Sequence, residues 1–491
     1  MRHFLFIASS LIVLILSLLC GCHDREPLDA DGQLTFSRDT LHMDTLYSER
    51  PSSTRTVLVY NRTKDALNIQ KIHLLHGVEK GFHINVDGRS GQTFENIIIP
   101  AGDSIHIFVE ATFQQHLKDS PQLLTDSILF HFRNRSQVLR IEAWCYNIDQ
   151  EDVLIIDQDY ELMAQRPLYI RDSLVVREGA TLTLAPGAHL LLGDRAHVSI
   201  YGTLLSKGVP DNRVLIEGIR RDYLIPSVNY RQVPGQWDYI RFASSSQGNE
   251  LAYTTIRNGR DGVLCFGQSP LDLKDKIVAM GTIITNMKGR VLSLNQVRSC
   301  WINCELSNSL STTLDISGGA TSLLHCTIVN YYAWDKREGM TLKYTIAEGE
   351  EVGQSSLIVK NTLVDGARSV VRSAGKDPMG GEIELDEKMV QRTSFIYCCL
   401  RTAIAENSKG IYTNCLEVKE PADKTYVRVG LDRKNNKMDF IYLFQPWADA
   451  PWVKQATKTD ITTDILGQTR PQKPTIGAYE PSKQKREEIV P

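Results

Sequence analysis

The sequence predicts an all-β protein of two parts, an antiparallel β-sandwich followed by a parallel β-helix solenoid. Three observations carry that prediction. Between residues 34 and 148, short alternating apolar runs are separated by turn residues; from Ser173 an eight-residue unit repeats without a gap; and from Ala252 to Thr402 a longer repeat recurs, at its tightest every 22 residues.

Before either part comes a segment that is not a fold element. Arg2 and His3 precede an apolar run from Phe4 to Leu19 that ends in Leu-Cys-Gly-Cys. The run is short for a spanning helix, and its charged start and small-residue end mark an export signal. Leu19 to Cys22 resembles a bacterial lipobox, with Leu three places before the modified cysteine and Gly just before it, whereas Cys20 would follow Leu19, a poor cleavage residue. The resemblance implies a signal peptide over 1–21, lipidation of Cys22, and a membrane partner reached through the lipid. The polar, acidic stretch 22–33 resembles the tether of surface-exposed lipoproteins of some Gram-negative bacteria, which implies an outer-membrane location at the cell surface.

Composition excludes one class of partner. With 55 basic against 58 acidic residues in 491, a net charge of -3, nothing draws the chain to nucleic acid. A hydrophobic content of 42% is that of a folded protein.

The first part, 34–148, contains "RTVLVYN", "LNIQKIHLL", "FHINVDG", "AGDSIHIFVEATF", "DSILFHF" and "QVLRIEAWCYN". Strands at this spacing, without helical periodicity, form an antiparallel sandwich. A strand ending in Asn61 and the later "AGDSIHIFVEATF" resemble the Hydin-like immunoglobulin-type domains, so an immunoglobulin-like β-sandwich is expected. His73, His76 and His83 fall here as surface strand residues, and no carboxylate or cysteine spacing joins them into a metal site.

The second part, 149–482, opens with "SLVVREGA", "TLTLAPGA", "HLLLGDRA" and "HVSIYGTL", starting at Ser173, Thr181, His189 and His197. Each unit is one side of a coil, and three sides make a rung of about 24 residues, the size of one β-helix turn. The second register ends at Asn258, Asn286, Asn308, Asn330, Asp365 and Thr402; its longer gaps are rungs with inserted loops. Unbroken alternation predicts three inward columns. The first is Ala252, Met280, Ile302, Leu324, Val359 and Ile396; the second Thr254, Thr282, Cys304, Cys326, Asn361 and Cys398; the third Ile256, Ile284, Leu306, Ile328, Leu363 and Leu400. Asn258, Asn286, Asn308 and Asn330 are expected to stack at a bend, their amides bonding the turns above and below. Cys304, Cys326 and Cys398 lie in a line, which suits small core side chains rather than a four-ligand metal centre, and free thiols are expected. These segments, with "PGQWDYIRF" and the closing "DILGQTRPQKPTIGAYE", resemble the right-handed parallel β-helix family, the pectate-lyase-like fold, in its exported lipoprotein form. Residues 483–491 read as a polar tail.

Chemistry is sparse. A lyase needs a base and a cation to hold an enolate, and a hydrolase needs paired carboxylates. On one outer face Glu305 is the lone carboxylate, with His325 expected on the neighbouring rung as its only companion. On the next, Cys265, Ser293, Asp315, Lys343 and Arg372 form a column; Asp315, Lys343 and Arg372 would suit β-elimination on an acidic glycan, with Ca²⁺ as the cofactor in that case alone. Three insertions, 219–239, 331–339 and 374–392, are where a ligand would dock. They carry Tyr223, Tyr230, Trp237 and Trp334 to stack on sugars, and Lys336 and Arg337 to meet acidic groups. Nucleotide loops, GxSxG and HExxH are missing from the sequence. The expected function is therefore a non-enzymatic binding or scaffold protein of the cell envelope, with a glycan or an envelope protein as ligand on the β-helix face. The alternative is a polysaccharide lyase.

Overall fold

The computed structural model describes residues 33–115, 119–268, 271, 274–346, 352–371, 379–404, 410–432 and 437–484. Cys22 and Arg372 lie outside the described residues. The chain divides into two compact units after Tyr146.

In the first unit, one sheet runs Leu34–Phe36, Arg55–Asn61, Ser104–Ala111, Phe82–Val86, Arg89–Gly91. The other runs Thr40–His42, Ser136–Tyr146, Gln122–His131, Leu67–Leu74, Thr93–Ile99. Pairing is antiparallel except where Thr40–His42 and Leu46–Tyr47 run parallel to Ser136–Tyr146. Alternation sends Val57, Val59, Ile107 and Val109 from one sheet, and Ile69, Ile72, Ile128 and Ile141 from the other, into a single core. Asn61 closes its strand: fully buried, its amide donates to the carbonyls of Asp65 at 2.8 Å and Ile99 at 3.0 Å.

The second unit is a β-helix-like solenoid of parallel strands on three faces, A, B and C. Face A is a ten-stranded sheet from Tyr160–Leu162 to Tyr412–Thr413. Face B passes through His189–Leu192, Val214–Gly218, Thr254–Arg257, Ile283–Met287, Glu305–Ser309, Thr327–Asn330 and Leu363–Gly366. Face C passes through His197–Ile200, Ile240–Phe242, Val263–Phe266, Leu292–Asn295, Leu314–Ser317, Leu342–Thr345 and Ile383–Leu385. The eight-residue units are its sides: Ser173 pairs with His197, one full rung later, and Leu174, Leu182, Leu190 and Val198 are all buried.

The predicted columns need one correction, and its cause is the corner from A to B. There a single residue takes left-handed backbone: Tyr253, Gly281, Asn303, His325, Asn361, Tyr397 and Asn414 all have φ between 40° and 61°. Such a corner breaks the two-residue alternation, so side chains flanking it at a spacing of three both point inward. The first inward column is therefore Leu251, Ala279, Trp301, Leu323, Val359 and Phe395, all nearly inaccessible. Ala252, Met280, Ile302, Leu324 and Ile396 lie one residue on and outside, Met280 being 40% exposed. The same slip puts Asn361 at the corner and Leu363 outside, with Thr362 and Val364 taking the expected inward places.

The second column explains its own composition. Thr254, Cys304, Thr362 and Cys398 immediately follow the corner, and each donates to a backbone carbonyl at or beside it. Thr254 Oγ1 reaches Ala252 O at 3.0 Å, Cys304 Sγ reaches Ile302 O at 3.2 Å, Thr362 Oγ1 reaches Lys360 O at 2.9 Å and Cys398 Sγ reaches Val359 O at 3.3 Å. Thr282 and Cys326 do the same towards Leu251 O and Trp301 O. The cysteines among the described residues are free thiols.

After the last rungs, the chain from Val418 to Tyr479 folds back over face B. Tyr426, Phe444, Trp452, Ile465, Ile476 and Ala478 pack with Val329, Leu363 and Cys399 into a second core on the outside of that face.

Candidate functional site

The first two insertions leave the coil at one corner, from B to C, because each follows a face B strand, Val214–Gly218 and Thr327–Asn330; 374–392 contains the face C strand Ile383–Leu385. The asparagines lie beneath them. Asn286 Nδ2 donates to Asn258 Oδ1 at 2.8 Å and to Gln232 O at 2.5 Å, and Asn258 Nδ2 donates to Arg231 O at 2.8 Å, so the ladder holds the first insertion. Asn308 Oδ1 accepts from Tyr331 N at 3.0 Å, and Asn330 Nδ2 donates to Ser309 O at 3.0 Å, tying the second insertion to the rung below.

This packing changes what the aromatic residues can do. Trp237 is fully buried in the solenoid core, its Nε1 donating to Arg257 O at 2.9 Å, and faces no ligand. Tyr230 lies beneath the Arg220 guanidinium, 3.3 Å from ring centre to Cζ. Trp334 stacks on Phe440 at 3.8 Å and 17°, while Gln232 Nε2 donates to Asp439 O at 2.8 Å, so the first and second insertions meet the C-terminal hairpin. Tyr223 remains open, 43% exposed, beside Leu224 and Ile225. Arg337 is spent internally, its guanidinium bonded to Glu382 and to Asn330 O, whereas Lys336 is exposed. The third insertion lies partly outside the described residues.

On face C, Asp315 sits between Ser293 and Lys343 in register. Lys343 Nζ lies 3.3 Å from Glu384 Oε1, and Arg290 Nη1 lies 4.0 Å from Asp315 Oδ2, so charges alternate up the sheet and neutralise one another. Burial pushes the Asp315 carboxyl up, against the pull of Arg290 and Lys343. Cys265 is not in this outer column; it is buried, and Leu264 holds the outward place. Among the described residues no group of three or more His, Cys, Asp or Glu side chains is arranged to hold a metal ion.

Glu305 and His325 do not form a pair. His325 is the corner residue of its rung, buried, with its Nε2 3.0 Å from Asn361 Nδ2 and 3.2 Å from Thr459 Oγ1. Glu305 is covered by the returning chain: Ser307 Oγ donates to it at 2.5 Å and the Tyr479 hydroxyl donates to its other oxygen. Burial pushes this carboxyl up.

Sequence reasoning missed two features. One is a set of closed ion clusters on the outside of face B. Glu217, almost inaccessible, takes His189 at 3.0 Å, Arg221 at 2.7 Å and Arg257 Nε at 2.6 Å. Burial pushes its carboxyl up, but the His189 hydrogen bond and the charges of Arg221 and Arg257 outweigh that and hold it far below the carboxylate range. Asp365 takes Arg401 at 2.5 Å, Tyr426 at 2.6 Å and Tyr331 at 2.8 Å. These knots fasten the insertions and the C-terminal segment; they are built by register, which spacing alone does not reveal.

The other missed feature is the outside of face A. Leu205, Glu250, Val278, Cys300, Ser322 and Ile358 lie in one outward row, and Ala252, Met280, Ile302, Leu324, Lys360 and Ile396 in the next. Val278 is 36% and Ile358 49% exposed, and the Lys207 and Glu250 ion pair lies on the two rungs before Val278. A signal existed: each corner is Asn, Gly, His or Tyr followed by Thr or Cys, the left-handed residue followed by its cap.

No family model and no curated protein matches this chain. Among solved structures, the chain is similar to a family 123 glycoside hydrolase from Clostridium perfringens, described for glycolipid glycan hydrolysis, with 9% identity and a TM-score of 0.18. The likeness covers 26% of this chain and 26% of that one, so the chain spans about a quarter of that structure's length, and it carries neither fold nor activity across.

Proposed function

We propose that this protein is an outer-membrane lipoprotein, anchored through Cys22 at the cell surface, that acts as a non-enzymatic scaffold and holds another envelope protein against face A of its solenoid. The observation that carries the reading is the group of exposed apolar side chains on the outside of that face, Val278, Met280 and Ile358 with Ile302 and Leu324 on the rungs between, because apolar surface gathered on a folded chain marks a protein contact. Lys207 and Glu250 on the rungs before Val278, and Lys360 between Leu324 and Ile396, supply polar groups for register. Supporting the non-enzymatic part, the acidic groups Glu217, Glu305, Asp365 and Glu382 are buried and bonded inside the fold, while Asp315 and Lys343 lie in an alternating charge ladder. The first unit is an immunoglobulin-like sandwich of the Hydin-like kind in this reading, supported by its two sheets around one core, and the coil of the second is right-handed, the hand that parallel crossovers take.

The test places a photo-crosslinking residue at Met280, in intact cells of the native host. A discrete protein adduct, reduced at least tenfold by Val278→Glu with Ile358→Glu, supports the scaffold, and Cys22→Ser should release the protein from the membrane fraction. No adduct, or one indifferent to the two glutamates, overturns it. Unsaturated ends appearing on an acidic polysaccharide, and lost with Lys343→Ala, would establish the pectate-lyase-like alternative.

A further inference from the structure

The first unit has a concavity that the scaffold reading does not use. On the outer side of the sheet that contains Phe82–Val86 and Ser104–Ala111 lies a cavity of about 610 Å³, floored by Phe108 and edged by Val78. Its size is that of a small-ligand pocket. The rows that line it are fixed by register: Phe108 faces Asn85 across the strands, Asn85 faces Ser90, and Glu110 faces His83.

The polar groups are unbalanced in a particular direction. Asn85 uses its Nδ2 on Ser90 Oγ at 3.1 Å, which leaves its Oδ1 buried with no hydrogen-bond partner. Glu110 accepts from Thr54 Oγ1 at 2.5 Å through one oxygen only, and the Gln92 side-chain amide stands at the rim. The cavity thus offers two acceptors, Asn85 Oδ1 and the second Glu110 oxygen, to a ligand that donates. A buried acceptor without a partner is costly, and a ligand that donates to it recovers that cost. The lining contains no Lys or Arg, and its carboxylate, Glu110, with His83 opposite it in register, disfavours a carboxylate, sulfate or phosphate.

A single aromatic floor with side-chain amides and a carboxylate around it fits a pyranose, which presents C–H groups on one face and hydroxyl donors at its edge. We infer that this cavity binds the end of a neutral or amino-sugar glycan, Phe108 stacking on the ring, Asn85 Oδ1 accepting from one hydroxyl and Glu110 accepting from a second hydroxyl or an amino group. The site is separate from face A, and it selects against the acidic sugars that a pectate-lyase-like protein would take.

The experiment is titration calorimetry of the full chain with neutral oligosaccharides, amino-sugar oligosaccharides and oligouronates as separate probes. Binding of a neutral or amino-sugar probe, but not of the uronate, is expected. Phe108→Ala should weaken it at least tenfold and Asn85→Ala several-fold, while Glu110→Gln should weaken the amino sugar more than the neutral one. Asn85→Asp, which keeps the size of the side chain, guards against misfolding of the alanine variants, and an unchanged melting temperature is required of each. Val278→Glu on face A should leave saccharide binding as it is, so failure here and failure of the scaffold reading are distinguishable. Asn85→Asp keeps the acceptor and should keep binding; no binding of either sugar class by the folded protein, preference for the uronate, or wild-type affinity in Phe108→Ala and Asn85→Ala would overturn the site.

Discussion

His325 shows how much a single corner residue decides. It occupies left-handed backbone, a conformation unfavourable for most side chains, in the place that Asn303 and Asn361 hold on neighbouring rungs. Burial, with Arg470 nearby, pushes its imidazole down to about 3 from an ordinary 6.5. The unfolded chain therefore takes up a proton below pH 6.5 that the folded chain refuses until about pH 3, so the contribution is whole above 6.5 and is lost as pH falls across that window. The slope approaches ~1.4 kcal/mol per pH unit. His325→Asn is expected to bring the melting temperatures at about pH 4.5, inside that window, and at about pH 7, above it, closer together than in the wild type. An unchanged difference would assign the acid sensitivity elsewhere.

At the scale of elements, the closing segment "PTIGAYE" acts as a strap across face B. Gly477 has φ 105°, and a Cβ there would come within 2.8 Å of Thr327 Oγ1, the atom that accepts from Ala478 N at 2.9 Å. Arg470 locks the strap from above, bonding Glu480 Oε1 and Asn303 Oδ1 at 2.8 Å each. Gly477→Ala is expected to cost about 2 kcal/mol from the strained backbone and the displaced neighbour. Its readout is Cys399, now fully buried beneath the strap, which should gain reactivity towards a thiol reagent without denaturant. The strap was partly legible: Asp464, Gly467, Arg470, Gly477, Tyr479 and Glu480 stand out in the sequence as a domain-end motif. What they grip was not, because Asn303, Glu305 and Thr327 lie more than a hundred residues away along the chain.

At the scale of the whole molecule, the solenoid is quasi-one-dimensional, each rung resting on the next, while the first unit has a core of its own. A fragment spanning 147–491 is accordingly expected to fold without 1–146 and to retain its own melting transition, seen by calorimetry beside that of the full chain. A fragment that unfolds or aggregates would mean that the units depend on each other for stability. The solenoid also turns sequence distance into alignment. Insertions more than a hundred residues apart emerge at one corner because every coil passes that corner once, and this is why Trp334 can lie on Phe440 and Gln232 can reach Asp439.

The sequence by itself determined the parallel coil, the eight-residue side, the asparagine corner and the two-part chain, since each is written as a period or a local turn preference. Tertiary structure alone decided which side of the wall the side chains occupy. A left-handed residue at one corner shifts the alternation by one, which sends Trp301 inside and Met280, Ile302 and Leu324 outside, and returning chain buries Glu305 on a face that spacing made look open. Period is local and survives in sequence; inside and outside depend on the angle of a single corner and on what folds back over it.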